Sequence, residues 1–232
     1  MNDEPDRNAD DAQAVRIRLE SVRERIAKAG DAQNVTIVGV TKGLGVEAAL
    51  AARGAGLFDL GENYADELVE KAAILAASAG DPVRWHLIGG IQRRSLRRLA
   101  TYVAMYQSVD REEEAAAIAR HAPGAAMLIE VETTGIAGRG GVPPDEVERL
   151  VERAAECGLD VQGLMTVAAA DDEVAARRSF RTVRGLVDVL GLRVASMGMS
   201  EDFGIAVEEG STMVRLGRVL FGPRPTRGSV SQ

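Results

Sequence analysis

The stretch VTIVGVTKG (35–43) holds the first apolar run that reads as a strand, and it ends on a lysine. Its β-branched residues suit an extended backbone. It lacks the polar alternation of a half-exposed strand, as expected where both faces are covered. Seven comparable runs follow: LFDLG (57–61), WHLIG (85–89), AMYQSV (104–109), AMLIEV (126–131), VQGLMTV (161–167), RVASMGM (193–199) and TMVRLG (212–217). Helical segments are expected between them, over 46–53, 65–78, 92–99, 111–120, 144–157, 172–190 and 201–209.

Strands alternating with helices imply an α/β protein with a mostly parallel sheet. Eight strands are the number that closes a (β/α)8 TIM barrel. A doubly wound open sheet is the rival. The barrel is favoured because the count is right and no linker divides the chain. Upstream, Val15, Leu19, Val22 and Ile26 recur at helical spacing and Gly30 terminates them, which predicts an extra N-terminal helix. Residues 1–13 are acidic and polar and read as disordered. The barrel domain is expected over 14–222, with a flexible tail over 223–232.

The chain has 232 residues and a net charge of −7, which argues against a nucleic-acid binder relying on bulk charge. Cys157 is the lone cysteine, so no intrachain disulfide can form. The N-terminus is neither a secretory signal nor a basic transit peptide. No apolar run approaches the roughly 20 residues that span a bilayer. The reading is a soluble, cytoplasmic protein.

Barrel active sites lie at the C-terminal ends of the strands, so the residues just after each run are the ones to inspect. Lysine occurs at Lys28, Lys42 and Lys71. Lys28 and Lys71 fall within helices and read as solvated surface; Lys42 alone ends a strand. A desolvated lysine amine becomes a nucleophile toward carbonyls, whereas a solvated one merely reaches water on its flexible stem. Ser200 reads as the N-cap of the helix that follows it, a place suited to phosphate or to ordinary capping. Arg215 lies inside an apolar run and needs an acceptor there. Beside it, Gly217 and Arg218 offer backbone that can approach a phosphate closely. Asn63 is a possible donor to an oxygen, or a plain helix cap. His86 alternates with Trp85 and is a candidate site wall or a satisfied core histidine. Glu130 and Glu132 share one strand face and could act as acid and base, or simply line the barrel. GIAGRGG (135–141) reads as a mobile loop near the mouth. No metal-ligand spacing, GxSxG or Walker A pattern occurs.

The motifs GVTK (39–42), DLGENYADEL (59–68), WHLIG (85–89), GRGGVPPDEV (138–147), GLMTVA (163–168) and SMGMSEDFGIAVEEGSTMVRLGRVLFG (196–222) together resemble the pyridoxal phosphate homeostasis protein family. The resemblance implies a barrel like the alanine racemase N-terminal domain, binding pyridoxal 5'-phosphate (PLP). It implies that Lys42 carries PLP as a Schiff base and that Arg215 lies near the pyridine nitrogen. There an arginine disfavours protonating the ring and weakens it as an electron sink. It further implies that Ser200 and the backbone at Gly217 and Arg218 hold the phosphate. Asn63 would lie near the ring or its phenolic oxygen, and His86 and Met199 would form walls.

The chain departs from the family after WHLIG, where GIQRRS (90–95) replaces a pattern resembling HLQxNK. Glu130 and Glu132 stand where a glutamine and an asparagine are common. The implied function is PLP homeostasis, by buffering or delivery, with no robust turnover. PLP-dependent apo-enzymes are the implied recipients, with no nucleic acid and no membrane as partner. The alternative is a weak PLP-dependent amino-acid racemase. Fold-related racemases take a second base from a further β-rich domain of a partner subunit. The sequence reaches Gln232 soon after the eighth run, so racemisation is not expected and a monomer is. A third reading is a cofactor-free Schiff-base aldolase working through Lys42.

Overall fold

The computed structural model describes residues 4–30, 34–136, 138–169 and 172–223; the side chains of 4–9 fall outside that description, as does the tail from 224 onward. A long helix α1 (Glu4–Ala29) leads into strand β1 (Thr36–Val40). The chain then alternates through α2 (Val46–Gly54), β2 (Asp59–Glu62), α3 (Ala65–Ala77), β3 (Arg84–Leu87), α4 (Leu96–Leu99), β4 (Val103–Val109) and α5 (Glu112–His121). It finishes through β5 (Ala126–Glu130), α6 (Val147–Glu156), β6 (Asp160–Met165), α7 (Glu173–Val189), β7 (Val194–Ser196), α8 (Phe203–Glu208), β8 (Met213–Leu216) and α9 (Arg218–Phe221). Short 3-10 turns precede α4 and α6.

The strands form a closed parallel barrel in chain order, with β8 pairing back onto β1 through Val38↔Arg215 and Gly39↔Leu216. Closure removes both sheet edges. It also sets the C-terminal ends of β1 and β8, far apart in sequence, side by side. Inside the barrel pack Val38, Met105, Leu128, Met165 and Met213. A larger cluster fills the space between strands and helices, as layered barrels require. Of the eight apolar runs read from the sequence, each contains a strand.

Val15, Leu19, Val22 and Ile26 of α1 are buried, as their spacing predicts. Each contributes about 1.5–3 kcal/mol by leaving water. Arg18 Nη1 donates to the Leu220 carbonyl at 3.0 Å, tying α1 to α9. The helix starts at Glu4, inside the stretch that composition reads as disordered. Low hydrophobicity misleads there. The segment has no glycine, and its one proline, Pro5, sits in the first turn, where a missing N–H breaks no helical bond. It then extends a helix already docked further along, so it needs no new nucleus. Among the described residues no helix is long and apolar enough to cross a membrane.

Candidate functional site

Strand alternation divides the end of β1 into two environments. Thr41 points outward and is fully buried, while Lys42 points into the barrel mouth. The outward side is sealed by a lysine that the sequence reading placed on the solvated surface. Lys71 of α3 is buried, donating to Glu62 Oε1 at 2.6 Å and to the Thr41 carbonyl at 2.9 Å. Thr41 Oγ1 donates to the same Glu62 oxygen at 2.7 Å. Burial raises the Glu62 carboxyl above its usual range, against the pull of Lys71 and Thr41. This knot clamps the ends of β1 and β2 together, and the next residue on each is a candidate site residue.

On the inward side Lys42 Nζ lies 3.4 Å from Asn63 Oδ1. Asn63 does not cap α3: Tyr64 holds the cap position, without a side-chain bond. Its backbone is instead pressed against Gly89 at the end of β3. A Cβ on that glycine would stand 2.3 Å from the Asn63 carbonyl oxygen, so only glycine permits this approach.

On the neighbouring strand, Arg215 of β8 is buried with its guanidinium held by three acceptors. Nη1 donates to Ser196 O and Ser196 Oγ, both at 2.8 Å, and Nη2 donates to Thr166 O at 2.8 Å. These are neutral acceptors, so the positive charge is oriented without being neutralised. Burial pulls its pKa down to about 10, with Glu130 and Asp202 acting in the opposite direction, and it remains a cation at neutral pH. Glu130, at the end of β5, is pushed up to about 7, chiefly by burial and then by Asp110, with Arg215 resisting.

Lys42, Asn63, Glu130, Arg215, Ser200 and Gly217 line one cavity of about 840 Å³, as do Met199 and Arg218. That volume is ordinary for a small-molecule site. The phosphate-suited corner differs from its sequence reading in one respect. Ser200 does not cap α8, which begins at Phe203 after Asp202. Asp202 accepts from the Met199 N–H at 2.6 Å, drawing the chain into a turn before the helix. Gly198, with φ of +96°, makes that turn possible. Ser200 Oγ faces the other way and accepts from the Val219 N–H at 3.3 Å, in the first turn of α9. It thereby joins the two segments, 199–202 and 217–219, that form this corner. Arg218 pairs with Glu201 at 3.0 Å over the same rim.

Two sequence candidates fall outside this arrangement. His86 is buried deeper in the barrel and is not part of the cavity lining; its ring bonds Asp59 and Gln107. The Glu130–Glu132 pair is also split. The ladder with β6 ends at Val131, and Glu132 turns onto its own loop, accepting from Thr134 N at 2.7 Å and from Gly135 N at 2.9 Å. Those bonds lower its pKa while burial raises that of Glu130, so the two carboxyls titrate apart. The glycine-rich loop is tethered to the mouth: Arg139 Nη1 donates to Val167 O at 3.1 Å, and Gly141 N donates to Asp110 Oδ2 at 3.0 Å. Sequence reasoning gave Asp202 no role at the site and offered Glu130 only as a partner of Glu132 or as a lining residue. An isolated strand-end carboxylate facing an inward arginine was the signal for Glu130. Among the described residues no cluster of His, Cys, Asp and Glu could hold a metal ion.

An amine, a fixed guanidinium and a polar corner with backbone N–H groups thus share one cavity. Such a set can receive a planar ligand bearing a carbonyl and an anionic group. Residues 11–225 match the family model described as the alanine racemase N-terminal domain. The chain is 36% identical over 212 residues to the pyridoxal phosphate homeostasis protein of Pseudomonas aeruginosa, covering 88% of this chain and 91% of that one. It is 32% identical over 222 residues to the protein of the same name from Schizosaccharomyces pombe, covering 90% and 92%. Among solved structures it is similar to PipY of Synechococcus elongatus with PLP bound, at a TM-score of 0.79 and 26% identity, over 90% of this chain and all of that one.

Proposed function

The chain belongs to the alanine racemase N-terminal domain family and, within it, to the pyridoxal phosphate homeostasis proteins; from that premise we propose that it binds PLP at the barrel mouth and serves PLP homeostasis, by buffering or delivery. The observation that carries the reading is that Lys42, Arg215 and the Ser200–Gly217 corner open onto one cavity. PLP supplies an aldehyde that an amine can capture and a phosphate that backbone N–H groups can hold. In this assignment Lys42 takes the aldehyde and Asn63 orients the amine. Ser200, Gly217 and Arg218 form the phosphate corner, and Met199 is a wall. Arg215 faces the ring. Its fixed positive charge opposes a proton on the ring nitrogen, which favours holding PLP over using it as an electron sink. His86 is reassigned from wall to support beneath the site. The protein acts in the cytoplasm in this reading, and apo-enzymes that need PLP are its recipients.

The test is borohydride reduction of the PLP-treated protein followed by peptide mass mapping. A pyridoxyl adduct on Lys42 is expected. A protein that takes up no PLP, or carries the adduct on Lys28 or Lys71 alone, would sink the assignment.

Glu130 favours a second reading. A carboxyl that exchanges a proton near neutral pH shares the cavity with Lys42, which gives the site two groups able to move protons. In this second reading that pair would allow slow racemisation of amino acids. Chiral analysis of L-alanine incubated with the protein and PLP tests it, and the activity should vanish in Glu130→Gln.

A further inference from the structure

A chain of polar side chains runs through the barrel interior beneath the site, and with the Gln107 amide oriented as it stands its bonds all run in one direction. It starts at Arg215, which can only donate. Ser196 Oγ receives that donation at 2.8 Å and must direct its own proton elsewhere; Gln107 Oε1 lies 2.7 Å away. With its oxygen engaged, Gln107 donates through Nε2 to His86 Nδ1 at 2.8 Å. His86 therefore carries its proton on Nε2 and donates to Asp59 Oδ1 at 3.1 Å. Asp59 is anchored in turn by Arg84, whose Nε donates to the same oxygen at 2.7 Å and whose Nη2 reaches the other one. Every link runs from guanidinium to carboxylate. Gln107, Ser196, His86 and Arg215 are each buried, where an unmade bond is expensive.

We infer that Ser196, Gln107 and His86 are positioning residues for Arg215, transmitting to the barrel mouth an orientation fixed at Asp59 and Arg84 near the opposite end. None of them lines the cavity, so each acts through the next. The two carbonyls that Arg215 also meets, Ser196 O and Thr166 O, engage both arms of its fork. The Ser196 hydroxyl adds a third acceptor to the fork, and Gln107, by taking the hydroxyl proton, sets the rotamer that turns a lone pair toward Arg215. The chain spans the barrel from β8 through β7, β4 and β3 to β2. A change at His86 is thus felt at Arg215, three hydrogen bonds away.

The inference rests on the PLP reading for its consequence, but not for its test. In isotope-labelled protein without PLP, NMR should show His86 as the Nε2–H tautomer and Arg215 guanidinium protons exchanging slowly with water. In Ser196→Ala, Gln107→Met and His86→Phe the Arg215 protons should exchange faster. In Ser196→Ala the His86 ring, two links away, should lose its single tautomer. Identical Arg215 and His86 signals in wild type and Ser196→Ala would overturn the inference. Circular dichroism checks folding; Ser196→Ala deletes one oxygen, so it decides the matter where His86→Phe fails to fold. A second measurement adds PLP. Losing one charge-assisted hydrogen bond is expected to weaken binding about tenfold and to move the absorbance band of the bound group. An unchanged band and affinity in all three variants would also overturn it. If wild type takes up no PLP, the PLP reading fails while the NMR comparison still decides the inference.

Discussion

Two lysines lie one strand face apart and do opposite things. Lys71 is 4% exposed and bonded to a carboxylate and a carbonyl. Lys42 opens into the cavity, where its neighbour Asn63 is a neutral acceptor at 3.4 Å. Thr41 and Glu62 face the first lysine; Lys42 and Asn63, the next residue on each strand, face the cavity. The period of two along a strand therefore separates an amine buried behind the strands from one that opens onto the cavity. An amine buried against a carboxylate is a poor nucleophile, and one that shares a cavity with a second cation is a better one.

The largest expected effect lies on the structural side. Lys71→Met strips the partner from a buried carboxylate and should lower stability by about 3–5 kcal/mol. Adding Glu62→Leu should recover most of that loss, because the unpaired charge is then gone. Urea unfolding of the single and double variants checks both. A single variant as stable as wild type would mean that the knot does not clamp β1 to β2.

The second effect is at the cavity wall. Burial holds Glu130 near 7, above its ordinary 4.5. The folded state thus keeps a proton that the unfolded state has released. The stability linked to that proton is full below 4.5 and is lost as pH rises through about 7. Glu130→Gln should therefore match wild type near pH 4.5 and exceed it at pH 8 by about 2 kcal/mol, allowing for partial exposure. Denaturant midpoints across that range measure it, and parallel pH profiles would contradict it.

The barrel was legible because each strand is a short apolar run and the count matched closure. Lys42 was legible because it ends such a run. Lys71 was misread by its local company, Glu70, although the signal was present. Leu68, Lys71, Ala72 and Leu75 fall at i, i+3, i+4 and i+7, and all four are buried. A lysine on that stripe has to meet an acceptor, and Glu62, at the end of the preceding strand, is within reach. The depth of His86 was not legible, since alternation gives the face a side chain points to but not its level along the barrel axis. Nor was the parting of Glu130 from Glu132. Alternation places them together only while the strand continues, and it stops between them.

The smallest expected effect on folding belongs to Lys42, the residue proposed to capture the cofactor. Lys42 is half-buried at the barrel mouth and lies outside the apolar core, so Lys42→Ala should change stability by no more than about 0.5 kcal/mol. It should nevertheless abolish the visible absorbance that PLP gives the wild type. The contrast with Lys71→Met is the informative part, because both variants delete one amine from the ends of the same two strands. If Lys42→Ala destabilised the fold as much as Lys71→Met does, the mouth lysine would be a second structural anchor. PLP capture would then have to be sought at another amine. If it leaves unfolding unchanged and removes the colour, the two amines divide the work, Lys71 serving the fold and Lys42 the cofactor.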